Sequence, residues 1–200
     1  MNTLPISVKQ VLEECHSHLD SKGELPASYR GKIYKVIGDC FDNNSQNAHV
    51  IRSRLELSCA WKVLGIWESC ELTDDSARKL LEMAENFLRN KGDRKTLETF
   101  DNFFYDKLEN LMDNGQEYFI AAYAGYASSS AISTVLYDIN FDTLYRSEIE
   151  IDPDDWTACF NASLAYCGGA TWEEGVGDDL KRREFWEWFL NDAVPALWQI

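Results

Sequence analysis

Apolar residues recur at helical spacing along most of the chain. Val8, Val11, Leu12, Cys15 and Leu19 form a stripe behind Ser7, a helix-capping residue type, and Gly23 ends it. Pro26 opens a second helix that carries Tyr29, Ile33, Val36, Ile37 and Cys40. After the loop Asp42-Asn43-Asn44-Ser45, the residues Ile51, Leu55, Cys59, Val63, Ile66, Trp67 and Cys70 mark one face of a third helix over about 46–70. Thr73 or Asp74 caps a fourth, with Ala77, Leu80, Leu81, Ala84, Phe87 and Leu88 inside and Lys91-Gly92 at its end. Leu97, Phe100, Phe104, Leu108, Leu111 and Met112 make a fifth, closed by Asn114-Gly115.

The sixth helix, about 116–139, has a row of small residues four apart: Ala121, Gly125, Ser129 and Ser133. Small rows admit a close neighbour. The seventh, about 153–167, offers Cys159, Ser163 and Cys167, and the two rows are expected to face each other. Ala122-Tyr123-Ala124-Gly125 is echoed by Ala165-Tyr166-Cys167-Gly168, a weak hint of a repeated unit. Between these helices, residues 141–151 read as one short strand or an extended loop. An acidic, glycine-rich loop then leads into the most aromatic helix, with Phe185, Trp186, Trp188, Phe189 and Leu190 ahead of Pro195. A helix apolar around most of its circumference is enclosed by neighbours. The pattern predicts one all-α domain over 1–200. About eight helices in antiparallel pairs would form a bundle or a short helical-repeat array, with at most one short strand.

Charge adds an asymmetry. The net charge is −15; residues 1–72 carry eight Lys/Arg and nine Asp/Glu, so the remainder holds −14. Such a field repels nucleic acid and anionic membrane and steers basic partners inward. The six cysteines contain no CxxC pair and sit in apolar-periodic segments, which with no leader-like start suggests a reducing, cytoplasmic setting without disulfides. Residues 119–137 are uncharged and long enough to cross a bilayer, but their serines and the lack of flanking basic clusters argue for a core helix.

Candidate chemistry is sparse. Glu173, Glu174, Asp178 and Asp179 beside Gly175 and Gly177 could hold a hard cation, but no calcium-loop spacing is present. Capping fits them better: Thr171 with Glu174 as a capping box, and Asp178 or Asp179 at the start of the aromatic helix. The glycines lack the lysine of a phosphate loop. Cys15, His16 and His18, with His49 elsewhere, do not complete a tetrahedral site, and no catalytic triad stands out. No cofactor is expected. The sharpest surface signal is acid mixed with aromatic groups between Asp138 and Trp156, which suits a protein interface whose charges steer and whose rings anchor. Asp152-Pro153-Asp154-Asp155 also fits a cap for the seventh helix. A second acidic surface could lie on the fifth helix, with Glu98, Asp101, Asp106, Glu109 and Asp113.

The run Asp152-Pro-Asp-Asp-Trp, then Ala-Ser-Leu-Ala-Tyr-Cys-Gly-Gly-Ala-Thr-Trp, then Arg-Arg-Glu-Phe-Trp-Glu-Trp-Phe-Leu and Ala-Val-Pro195, with Ala122-Tyr-Ala-Gly-Tyr-Ala127 upstream, resembles bacterial polymorphic-toxin immunity proteins, specifically their all-α fifth family. The resemblance is clear over about 116–196. It implies a non-enzymatic cytoplasmic antidote to a contact-dependent or secreted toxin, in a one-to-one complex with the toxin's C-terminal domain, with neither nucleic acid nor membrane as partner. Such toxins are often nucleases, RNase more than DNase, and a basic active site would suit the acidic face. The resemblance supplies no contact residues. Charge and aromaticity select Asp142, Tyr145, Glu148, Glu150, Asp152, Asp154, Asp155 and Trp156, with Glu173, Glu174, Asp178 and Asp179 behind them. Two other readings stand beside this one: a metal-dependent hydrolase using Glu173, Glu174, Asp178 and Asp179, and a nucleic-acid-mimicking inhibitor of a host protein.

Overall fold

The structure is a computed structural model that describes residues 4–41, 46–70, 72–138, 151–173 and 175–199. Helices α1 (Ile6–Ser17), α2 (Ala27–Phe41), α3 (Gln46–Glu68), α4 (Ser76–Leu88) and α5 (Arg94–Asp113) follow the predicted stripes closely. A 3₁₀ turn, Gln116–Tyr118, leads into α6 (Phe119–Tyr137), and α7 (Ala158–Cys167) and α8 (Asp179–Trp188) complete the set. No strand occurs among the described residues. Of the expected strand-or-loop segment, 141–150 lies outside them, and Ile151 is buried.

Several helix ends follow from side-chain chemistry. The Asp93 carboxylate accepts the Thr96 N–H at 2.7 Å and starts α5. Asp178 does the same for α8, accepting from Leu180 and Lys181 at 2.9 and 3.1 Å, as the sequence predicts. The seventh helix is shorter than its pattern suggests. Pro153–Asp155 form a separate 3₁₀ turn, and Thr157, not the acids before it, accepts the Phe160 N–H and caps α7. The end of α8 widens into a π turn over Phe189–Ala193, where the Val194 N–H reaches back to Phe189, before Val194–Ala196 resumes the α form. Pro195 has no N–H to give the preceding turn, so the chain loses little by opening there.

The core is built on α3 and α6, with α7 seated against both. Helices α4 and α5 cover α6, α1 and α2 extend the layer beside α3, and the π turn reaches α3 and α1. Contacts shared among non-consecutive helices make this a bundle; in a linear repeat array each unit meets only its neighbours. Helix α6 is long and apolar enough to cross a membrane, and two-thirds of its most apolar window is buried among these helices.

The small-residue rows do not meet as expected. Gly125 looks at α5 and α3: an added Cβ would fall 2.3 Å from Leu108 Cδ2 and 2.9 Å from the Trp67 ring. Ser129 donates to Asp101 of α5 at 2.9 Å, while Cys159 of α7 faces Tyr34 of α2. Helices α6 and α7 meet instead where Asn161 donates to the Ser130 hydroxyl at 3.1 Å. Nor are the echoed tetrapeptides equivalent, since Gly125 lies within α6 whereas Gly168 ends α7 with φ +86°. Gly125→Ala is expected to destabilise the protein by about 1–2 kcal/mol, because overpacking against an indole outweighs the better helix propensity of alanine. Thermal unfolding checks this: the midpoint should fall by roughly 2–8 °C.

One acid lies at the centre. Glu56 of α3 is fully buried, accepts the Tyr34 hydroxyl on one oxygen, and accepts the Ala158 N–H at 2.6 Å on the other. A carboxylate of α3 thereby satisfies the N-terminus of α7.

Candidate acidic-aromatic interface

The predicted residues fall into three groups. Asp142, Tyr145, Glu148, Glu150 and Glu174 lie outside the described residues. Asp152, Asp154 and Asp155 come from the turn before α7: Asp152 and Asp155 are exposed, and only the backbone of Asp154 is described. Glu173, Asp178 and Asp179 come from the loop between α7 and α8. Trp156 joins the last two groups. Its ring lies 6.0 Å from that of Trp172 and 5.1 Å from that of Phe160, while Phe160 and Trp172 are 6.1 Å apart. Arg30 stacks on Phe160 from beneath, its guanidinium carbon 4.5 Å from the ring centre. Two stretches separated by α7 in the sequence therefore share one aromatic seam.

The loop is shaped by glycines and held by an arginine. Gly169 has φ +139°, and an added Cβ would strike Val176 at 2.2 Å; Gly177 has φ +84°, with Arg182 only 2.6 Å from the same position. The backbone wraps around Arg182, which is fully buried. Its guanidinium donates to the carbonyls of Gly169 and Lys22, both at 3.1 Å, and to Asp179 at 2.6 Å. It also lies 3.6 Å from the buried Glu24. The turn between α1 and α2 forms the floor: Lys22 Nζ donates to the Thr171 carbonyl at 2.7 Å, and Arg183 to the Asp20 carbonyl at 2.7 Å. Helix α1 ends at Ser17 with His18 as its C-cap, short of the predicted stop at Gly23; Gly23 instead allows α8 to approach, since a Cβ there would meet the Asp179 carbonyl at 2.6 Å.

The acids of the loop have structural duties. Glu173 accepts the Ala170 N–H at 2.9 Å, Asp178 caps α8 and Asp179 pairs with Arg182. The predicted Thr171–Glu174 capping box includes a residue outside the described set, and here Glu173 serves the local backbone. The loop, Lys22 and the start of α8 enclose a cleft of about 670 Å³. Trp172, Val176 and Leu180 line it and remain exposed. Composition and charge do not single out these three apolar residues; the local signal was their position beside glycines and a capping aspartate.

The fifth-helix acids are mostly engaged: Glu98 with Arg94, Glu109 with Tyr126, and Asp101 with Ser129. Burial pushes the Asp101 carboxyl up to about 6 against the opposing effect of the Ser129 hydrogen bond. All six thiols are free, and burial pushes those of Cys15 and Cys159 up to about 12, where thiolate chemistry is suppressed. His16 bonds to Asn191 and His18 stacks on Tyr29. Among the described residues, no three His, Cys, Asp or Glu side chains are grouped to hold a metal ion.

A family model described as Immunity protein Imm5 matches residues 9–196, nearly the full chain. No curated protein matches it.

Proposed function

We propose, from the premise that the chain belongs to the Imm5 family of immunity proteins, that it binds and neutralises the C-terminal domain of a cationic toxin through the face built on Trp156 and Trp172. Membership in the family supports a binding role in place of catalysis and implies a cognate toxin as partner. The observation that carries the choice of surface is the aromatic seam, which brings the Asp152–Asp155 turn beside the Glu173–Asp179 loop. From 152 to 179 the sequence holds seven Asp/Glu and no Lys or Arg. A basic nuclease, RNase in preference to DNase, fits such a face, because its phosphate-binding surface would meet carboxylates in place of nucleic acid. The complex is one-to-one. Asp142, Tyr145, Glu148 and Glu150, directly upstream of the turn, belong to the same acidic stretch and to the proposed contact set.

The reading is tested by looking for a large toxin gene ending directly upstream of this chain's own reading frame and taking the C-terminal domain that gene encodes. Co-expression should protect cells from that domain, and the purified pair should associate at a rate that falls with added salt. The double substitution Asp152→Lys, Asp155→Lys is expected to slow association about 10- to 100-fold at low salt, with helix content and cooperative unfolding retained. Normal association of this variant at low salt would refute the site, and failure of the unaltered chain to bind or protect would refute the reading itself.

A further inference from the structure

Eight large apolar side chains stand exposed among the described residues, and three of them, Trp172, Val176 and Leu180, fall within nine positions of one another and line one cleft. Leu180 is 80% exposed on the first turn of α8, although the next turns bury Phe185 and Trp186 completely. Folding makes little use of this leucine. Val176 and Trp172 are 46% and 42% exposed, and Trp172 is backed by the rings of Trp156 and Phe160.

We propose that this cleft is the anchor of the toxin complex and receives an apolar or aromatic side chain carried on a lysine- or arginine-flanked segment of the toxin domain. The inference rests on the immunity reading and adds where the binding energy resides: the acids set the encounter, and Leu180, Val176 and Trp172 hold the bound state. Charge complementarity selects the occupant. Glu173, Asp178 and Asp179 are fixed around the cleft by their own hydrogen bonds, so their field is present before the partner arrives. The cations nearby are committed elsewhere: Lys22 binds the Thr171 carbonyl, Arg182 is buried in its network, and Arg183 binds the Asp20 carbonyl. Lys181, exposed on α8, is the remaining positive neighbour. A second copy of this chain is a poor occupant, since each molecule brings a net charge of −15.

Arg182 also holds the loop backbone through the Gly169 carbonyl and holds the Asp179 side chain at the start of α8. A cleft ordered in advance has little conformational entropy to lose on binding.

The test uses the full-length chain with the adjacent-gene toxin domain. Leu180→Ala should weaken binding about 5- to 50-fold, almost wholly through faster dissociation and with little salt dependence, and Leu180→Arg should weaken it further. Because Leu180 is on the surface, both variants should keep the thermal midpoint of the parent protein. Hydrogen exchange should slow at 171–181 when the complex forms. Parental affinity in both variants, with no added protection at 171–181, would overturn the anchor while leaving the immunity reading intact. Self-association lost with Leu180→Arg would overturn it in favour of a second copy. If the unaltered chain does not bind the toxin domain, the anchor falls together with the reading on which it rests.

Discussion

Glu56→Ala is expected to cost about 2–4 kcal/mol of folding stability, mainly because it orphans the Ala158 N–H inside the core and leaves the Tyr34 hydroxyl to the weaker Cys159 thiol. The truncation also leaves space between α2, α3 and α7, where Tyr34, Cys59 and Cys159 surround the carboxylate. Glu56→Gln should cost much less, because the amide oxygen can still accept from Ala158 while its NH₂ donates to Tyr34. Denaturant unfolding of the three proteins checks the order. The same acid has a pH signature. Burial pushes the Glu56 carboxyl up from 4.5 to about 7, against the lowering effects of Tyr34, the α7 backbone and Arg30. A folded-state value above the unfolded one means that the native protein holds the proton more tightly. The stabilisation from Glu56 is therefore full below about pH 4.5 and is lost as pH rises through about 7. Asp101, raised to about 6, acts in the same direction over a narrower window. Between pH 5 and 8 the parent protein should lose more stability than Glu56→Gln does. Equal losses in the two would show that Glu56 does not titrate in this window.

The fate of Glu56 illustrates what sequence periodicity conveys. The stripes of α1, α4 and α5 were legible because each of these helices buries one face, and apolar spacing records that face directly; α3, at the centre of the core, also buries Arg52, Ser53 and Glu56, which its stripe does not record. Glu56 sits among buried residues of α3 next to Leu55 and Leu57, and nothing in the spacing tells a satisfied core acid from a surface one. Its partners lie 22 and 102 positions away. The facing of α6 failed for a related reason: a row of small residues announces a close neighbour but not its identity, and Gly125 received Trp67 and Leu108 in place of α7. At the candidate interface, acidity and Trp156 were readable, and Asp178 was correctly read as a helix cap. The cleft was not, because a glycine loop has no period. Whether Trp172, Val176 and Leu180 end inside or outside depends on backbone turns at Gly169 and Gly177 that only the fold defines. Arg182, the middle of three consecutive cations, reads in sequence as surface charge.

Arg182→Ala carries the largest expected effect, about 3–5 kcal/mol, comparable to breaking a buried ion pair. It would leave Glu24 buried with Arg30, 3.7 Å away, as its cation, would orphan the Lys22 carbonyl and would leave the Gly169 carbonyl to the weak Cys167 thiol donor. Against a typical margin of about 5–15 kcal/mol, that loss could unfold much of the population, so a second substitution is needed to separate folding from function. Arg182→Lys retains the charge, but a single ammonium cannot span Glu24, Asp179 and two carbonyls as the guanidinium does. This variant should remain folded, with amide exchange accelerated at 168–178 and unchanged in α3 and α6. If the pinned loop is the binding element, toxin affinity should fall together with loop protection, and the loss should appear in the dissociation rate. If the arginine serves the core alone, Arg182→Lys would lower the unfolding midpoint yet bind the toxin domain as the parent does. The double substitution Glu24→Gln, Arg182→Met adds a control: it should cost less than the sum of the two single substitutions, since the two side chains share one buried ion pair, while Arg30 keeps its bond to the Leu25 carbonyl. It would still lack the donors to Gly169 and Lys22, so a less-than-additive stability loss with continued weak binding would assign the arginine's functional share to loop positioning.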